Sequence, residues 1–224
     1  MSAVSDLLQA IFGNKQPNFY AEFEGWLRSS RRFRDFAHAY RNKIRAKLNN
    51  AKHPGSQEDL YAELQAAATF LRPPHFALEY DHYAAAKQRG PDFTVTFRSR
   101  TLFNVEVRRV AVGPQKLAAI VCEKVGQLPP SSINLVWLAA ADALGEAELA
   151  ATHVQLRQAA ESKEDGYFQN RGFASAAEFV KRYPRLSGIV LYQSGVQALW
   201  LNPIARHAVP RDLQSALRQL QSGD

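Results

Sequence analysis

The stretch GPDFTVTFRSRTLFNVEVRRV, Gly90–Val110, decides the fold class. Its two runs of Phe, Val and Thr, at about Asp92–Arg98 and Leu102–Val110, read as strands joined by a tight turn. Side chains alternate along a strand, so Phe103, Val105, Val107 and Arg109 share one face, and Asn104, Glu106 and Arg108 the other. Each run also carries a carboxylate: Asp92, directly after Pro91, and Glu106. Hairpin pairing of the two runs would bring these acids together. A carboxylate held between packed layers costs several kcal/mol unless something compensates it. The two acids are therefore either charges on an open sheet face or half of a reaction centre.

Working outward, Gln115–Leu128 reads as a helix whose apolar face is Leu117, Ile120, Val121, Val125 and Leu128. Lys124 falls inside that face, where it must snorkel out or meet a carboxylate. Gln127 lies at the rim of the same face. On the other side of the hairpin, a helix is expected from Ser56, as N-cap, to the stop at Pro73-Pro74. Leu60, Leu64, Ala67 and Leu71 form its buried stripe. Glu58 and Asp59 are accounted for by its first turn, where carboxylates are favoured. Glu63, at the edge of the stripe, has no such explanation and reads equally as a surface charge or a ligand.

The remaining pattern predicts strands near His75–Tyr80, Ile133–Ala141, Gly188–Gln193 and Ala198–Asn202. Helices are expected at Val4–Phe12, Glu146–Glu161, Ser175–Tyr183 and Arg211–Gln221, with a polar loop, SKEDGYFQNRG, at 162–172. Between Phe19 and Leu48 the residues Phe23, Trp26, Ser30, Phe33, Ala37, Tyr40 and Ile44 recur at spacings of three and four, as on one long helix. Arg31, Arg34, His38, Arg41, Arg45 and Lys52 recur on its far side.

A chain of 224 residues is long enough for a sizeable core, and it divides into a basic helical extension over 1–55 and an α/β domain over 56–224. A single cysteine, Cys122, excludes an intramolecular disulfide and a multi-cysteine zinc site, which suits a reducing compartment. No apolar run approaches 18 residues and the start lacks signal-peptide character, so a cytoplasmic protein away from membranes is expected. The net charge is +7, and residues 28–52 alone hold nine Lys and Arg against one acid, Asp35. Arg31, Arg34, Arg41 and Arg45 are either a solvated helix face or a stripe that contacts phosphates. The near absence of acids favours the stripe. The sequence contains no Gly-rich phosphate loop ending in Lys-Ser/Thr, no dinucleotide fingerprint and no nucleophile elbow.

A Glu on a helix, PDF at a strand start, E-x-R on the next strand, and a following helix with Lys and Gln together resemble the PD-(D/E)XK nuclease superfamily. The likeness covers roughly Ser56–Ala141. It implies a restriction-endonuclease-like α/β core, a central mixed β-sheet flanked by helices, here with an α-helical N-terminal extension. It also implies a metal-dependent endonuclease acting on DNA with Mg²⁺ or Mn²⁺, no small-molecule cofactor, and an assembly that can be a homodimer. By position, Glu63 matches the helical acid, and Asp92 and Glu106 the two strand acids, all three as metal ligands. Arg108 stands in the lysine position, and Lys124 and Gln127 match the supporting helix. The departure is Arg108, which stays protonated and cannot serve as a base. Either Lys124 has taken over the lysine's task, or the fold is a catalytically inactive nucleic-acid-binding module. A third reading is a protein-interaction role for the basic helix.

Overall fold

The computed structural model describes residues 3–80, 90–110, 114–140, 144–193 and 196–220. The expected ends at Ala141 and Gln221 lie outside the described residues.

Six strands form one sheet in sequential order: β1 (Phe76–Tyr80), β2 (Phe93–Phe97), β3 (Thr101–Val110), β4 (Ile133–Ala140), β5 (Gly188–Gln193) and β6 (Val196–Leu201). The β1–β2, β2–β3 and β5–β6 pairs are antiparallel, while β3–β4 and β4–β5 are parallel. The quoted stretch is the β2–β3 hairpin, paired Phe93 to Val105 and Phe97 to Thr101. Arg98 and Ser99 take positive φ of 50° and 57° in its turn, the left-handed conformation that tight hairpins need. At the far end, Gly188 lies under β6, where an added Cβ would meet the Trp200 carbonyl at 2.8 Å. Only glycine allows that approach.

Alternation along the strands divides the core between the two faces of the sheet. Phe93, Val95, Phe103, Val105, Leu135, Trp137 and Val190 face the first layer, made by α1 (Ala3–Phe12), α2 (Tyr20–Ser29), α3 (Arg31–Ala39), α4 (Arg41–Asn50), α5 (Pro54–Leu71) and α10 (Arg211–Arg218). Val110, Val136, Leu138, Ile189 and Leu191 face the second, made by α6 (Pro114–Gln127), α7 (Glu146–Glu161), α8 (Asp165–Gln169) and α9 (Ala176–Arg182). The protein is thus α/β, an open six-stranded mixed sheet with helices on both faces and a helical N-terminal region packed into the first layer.

Three local expectations need correction. The single long helix across Phe19–Leu48 is instead α2, α3 and α4, broken at Ser30, with φ −126° and ψ 113°, and at Tyr40, with φ −105° and ψ 15°. Ser30 accepts the Phe33 N–H and starts α3, so a hydroxyl that competes for backbone donors divides the pattern. Helix α5 starts at Pro54, with Pro at its first position, and Ser56 is inside the first turn rather than the cap. The stretch expected as a polar loop at 162–172 contains the short helix α8, which buries Phe168.

Arg32 ties the N-terminal region to the sheet. Its guanidinium donates to the carbonyls of Leu71 at 2.7 Å, Pro73 and Phe76, where α5 turns into β1.

Candidate functional site

Register places Asp92, one residue before β2, opposite Glu106 on β3, since Phe93 pairs with Val105. The ladder ends at Phe93, and the Asp92 carboxylate takes over as acceptor, receiving the Val107 N–H at 2.8 Å. Glu106 points to the second layer, beneath α6. There the Lys124 ammonium donates to its Oε1 at 2.7 Å, both side chains nearly enclosed at 8% and 11% exposed. The apolar face of α6 therefore carries its lysine into the sheet to meet a carboxylate rather than out to water. Removing one member of such a pair leaves an uncompensated buried charge, which costs about 3–5 kcal/mol.

Glu63 approaches from α5 in the first layer. Lys47 of α4 donates to its Oε2 at 2.6 Å, and the Tyr80 hydroxyl at the end of β1 donates to the same oxygen. The Lys47 ammonium also lies 4.7 Å from the Tyr80 ring centroid, and Lys43 lies 4.5 Å from it.

Asp92 joins these two halves electrostatically. Burial, then the charges of Glu63 and Glu106, push its carboxyl well above the usual carboxylate range, against the opposing pull of Lys47 and the Val107 N–H. Asp92 is partly buried, and its carboxyl group is the part taken out of water. Burial and the two neighbouring acids thus outweigh the one cation, Lys47, that acts on it.

Arg108, two residues after Glu106 on the same face, lies 3.8 Å from Glu123 Oε2, and Glu123 in turn lies 3.6 Å from Lys124. Its Nε is buried without a hydrogen-bond partner among the described residues. It therefore borders the cluster through Glu123. Gln127 is partly buried at the end of α6 and makes no side-chain hydrogen bond to a described residue. Of the sequence-derived residues, Glu106 and Lys124 are thus in contact, with Asp92 opposite Glu106, while Glu63, held by Lys47 and Tyr80, reaches Asp92 through its charge alone. Lys47 and Tyr80 are additions. No sequence signal sets Lys47 apart from the other cations of its run, since Arg32 and Lys43 also directly precede buried residues of the stripe, Phe33 and Ile44.

The basic run over 28–52 divides between cations inside the expected stripe and cations outside it. Arg32, Lys43 and Lys47 turn inward to the contacts above. Arg31 is exposed, 3.8 Å from Asp35. Arg34, Arg41 and Arg45 each donate one N–H to a backbone carbonyl, of Leu27, His38 and Ala10, which leaves their other donors for solvent or a phosphate.

Carboxylate oxygens are the right donor type for Mg²⁺, which is held by one or two carboxylates with waters and substrate phosphate. Asp92 and Glu106 would hold such an ion, with Glu63 beside them. Among the described residues, however, no three His, Cys, Asp or Glu side chains stand as a ready-made metal group, and Lys124 already engages Glu106. Comparison with known proteins adds no relative: no protein-family model, curated protein or solved structure matches the chain.

Proposed function

We propose that this protein hydrolyses nucleic-acid phosphodiester bonds at the Glu63–Asp92–Glu106–Lys124 cluster, with a divalent cation as cofactor. The observation that carries this reading is geometric: Asp92, held by the Val107 N–H, stands opposite the buried Glu106–Lys124 pair, and burial, then the charges of Glu63 and Glu106, raise its carboxyl. Packing alone gives no reason to bury an acid beside a second buried acid, and perturbed acids of this kind concentrate at reaction centres. A bound cation would supply charge neutralisation and an acidified water. For the chain's own residues, Asp92 is fixed by the Val107 N–H. Glu63 is oriented by Lys47 and Tyr80. Lys124 is placed to offset negative charge that develops beside Glu106. Arg31, Arg34, Arg41 and Arg45 would contact the nucleic-acid backbone.

A second reading is favoured by the Lys124–Glu106 pair itself. A buried acid already neutralised by an internal lysine suits a fold that binds nucleic acid without cutting it.

The test incubates plasmid and single-stranded DNA with the protein in Mg²⁺ or Mn²⁺ and follows ion binding by calorimetry. Two variants serve: Asp92→Asn, and a Glu106→Gln/Lys124→Met double that removes both buried charges together. Wild-type protein should cleave, and both variants should be slower by roughly a hundredfold or more, the usual loss of a positioned catalytic group. DNA binding without cleavage on every substrate would support the second reading. Undiminished cleavage by both variants would reject the site.

A further inference from the structure

On the second layer, away from the acidic cluster, α7, α9 and the segment after β6 enclose a cleft of about 560 Å³. That size falls in the range of small-molecule sites, which combine apolar walls with a few convergent polar groups. Its lips are Val180 of α9 and Ile204 beyond β6, each 53% exposed. Large apolar side chains so exposed are few among the described residues: Leu102 and Val154 are the others. The inner wall is aromatic. The His153 ring lies parallel to that of Tyr183, with centroids 5.6 Å apart, and 5.3 Å from that of Trp200. His153 Nδ1 and the Tyr183 hydroxyl share a hydrogen bond at 2.7 Å, which fixes the ring as a flat wall. Burial, then the nearby Arg157, hold His153 below its ordinary value, so it enters the cleft as a neutral ring.

The charges at the mouth are unequal. Arg157 is tied to Glu161 at 2.7 Å. Lys163, two residues beyond the end of α7 with a positive φ of 53°, has no ion-pair partner among the described residues. The cleft thus offers an apolar, aromatic interior and one uncompensated cation at its edge.

We propose that this cleft binds a small amphipathic carboxylate, an aromatic or medium-chain acyl acid, with its apolar body against His153, Tyr183, Val180 and Ile204 and its anionic group at Lys163. The site is independent of the phosphodiester chemistry proposed above.

The probe is 1-anilinonaphthalene-8-sulfonate, a fused aromatic body carrying one anion, whose fluorescence reports entry into apolar surroundings. Wild-type protein should bind one equivalent, decanoate should displace it, and decylamine should not. Val180→Trp, which fills the mouth from an exposed position, should weaken binding by roughly tenfold or more. Lys163→Glu should weaken it severalfold, and less so at high salt. Ile204→Glu, on the opposite lip, gives the same reading should Val180→Trp lower the Tm. Unchanged dye affinity in the folded lip variants overturns the proposal, as does equal displacement by the amine. Self-association that Val180→Trp abolishes, without competition by decanoate, assigns the cleft to a second copy and also overturns it.

Discussion

Asp92 faces opposing demands. The Val107 N–H and Lys47 favour its ionised form, while burial, Glu63 and Glu106 oppose it, and the opposition wins. The folded chain therefore holds the Asp92 proton at pH values where the unfolded chain has released it. Stability that depends on this group is complete below the unfolded value, about pH 4. It is lost as pH rises towards the raised folded value. Asp92→Asn keeps an oxygen to accept the Val107 N–H but never ionises. Its Tm should accordingly fall less than that of wild type between pH 5 and pH 8, by roughly a few degrees. Divalent ions should raise the Tm of wild type and leave the variant unmoved. Thermal melts across that range check both, and coincident profiles would mean that Asp92 is not the strained group. Lys124 was visible in the sequence because a cation inside an apolar helical face must either snorkel out or meet a carboxylate. That the partner is Glu106 depended on how α6 lies over β3.

At the scale of elements, an apolar repeat over Phe19–Leu48 reports which side faces the core, not whether one helix carries it. Phe23, Phe33 and Ile44 are all fully buried, yet they belong to α2, α3 and α4. Short helices that turn at Ser30 and Tyr40 keep their apolar sides on the same core, so the spacing survives the breaks. Ser30 carries the first break through its bond to the Phe33 N–H at 3.1 Å. Ser30→Ala should lower stability by about 1 kcal/mol, the usual worth of an N-cap. Denaturant unfolding with an unchanged slope would measure it. No loss would show that packing of Phe33, not the cap, places the start of α3. The strands were more legible, because a period of two bounded by turns has few competing readings. Helix α8 was missed because five residues are too few to show a period.

For the whole molecule, the N-terminal helices and the sheet share one core. The buried cluster of the first layer runs from Val4 to Leu220 and includes Phe33, Phe36, Phe70 and Phe93, with the rings of Phe36 and Phe93 6.5 Å apart. A chain cut to residues 56–224 would expose the part of that layer that α1 to α4 cover, and lose both the Arg32 bonds and Lys47. It should aggregate or unfold without a cooperative transition. Size-exclusion chromatography and near-ultraviolet circular dichroism would show this. A monomeric, cooperatively melting fragment would establish residues 1–55 as a separable unit.

Local chemistry determined the α/β class, most strand positions, the basic N-terminal run and the misplaced charge of Lys124, since alternation, helical spacing and misplaced charges are properties of neighbouring residues. Tertiary structure alone decided that Lys47 and Tyr80 hold Glu63, that Arg108 turns to Glu123, and that Lys124 meets Glu106. It also decided that α7, α9 and the segment after β6 enclose a cleft. These are contacts between residues far apart in the chain. Their distances are set by how helices cross the sheet, and no local period records that.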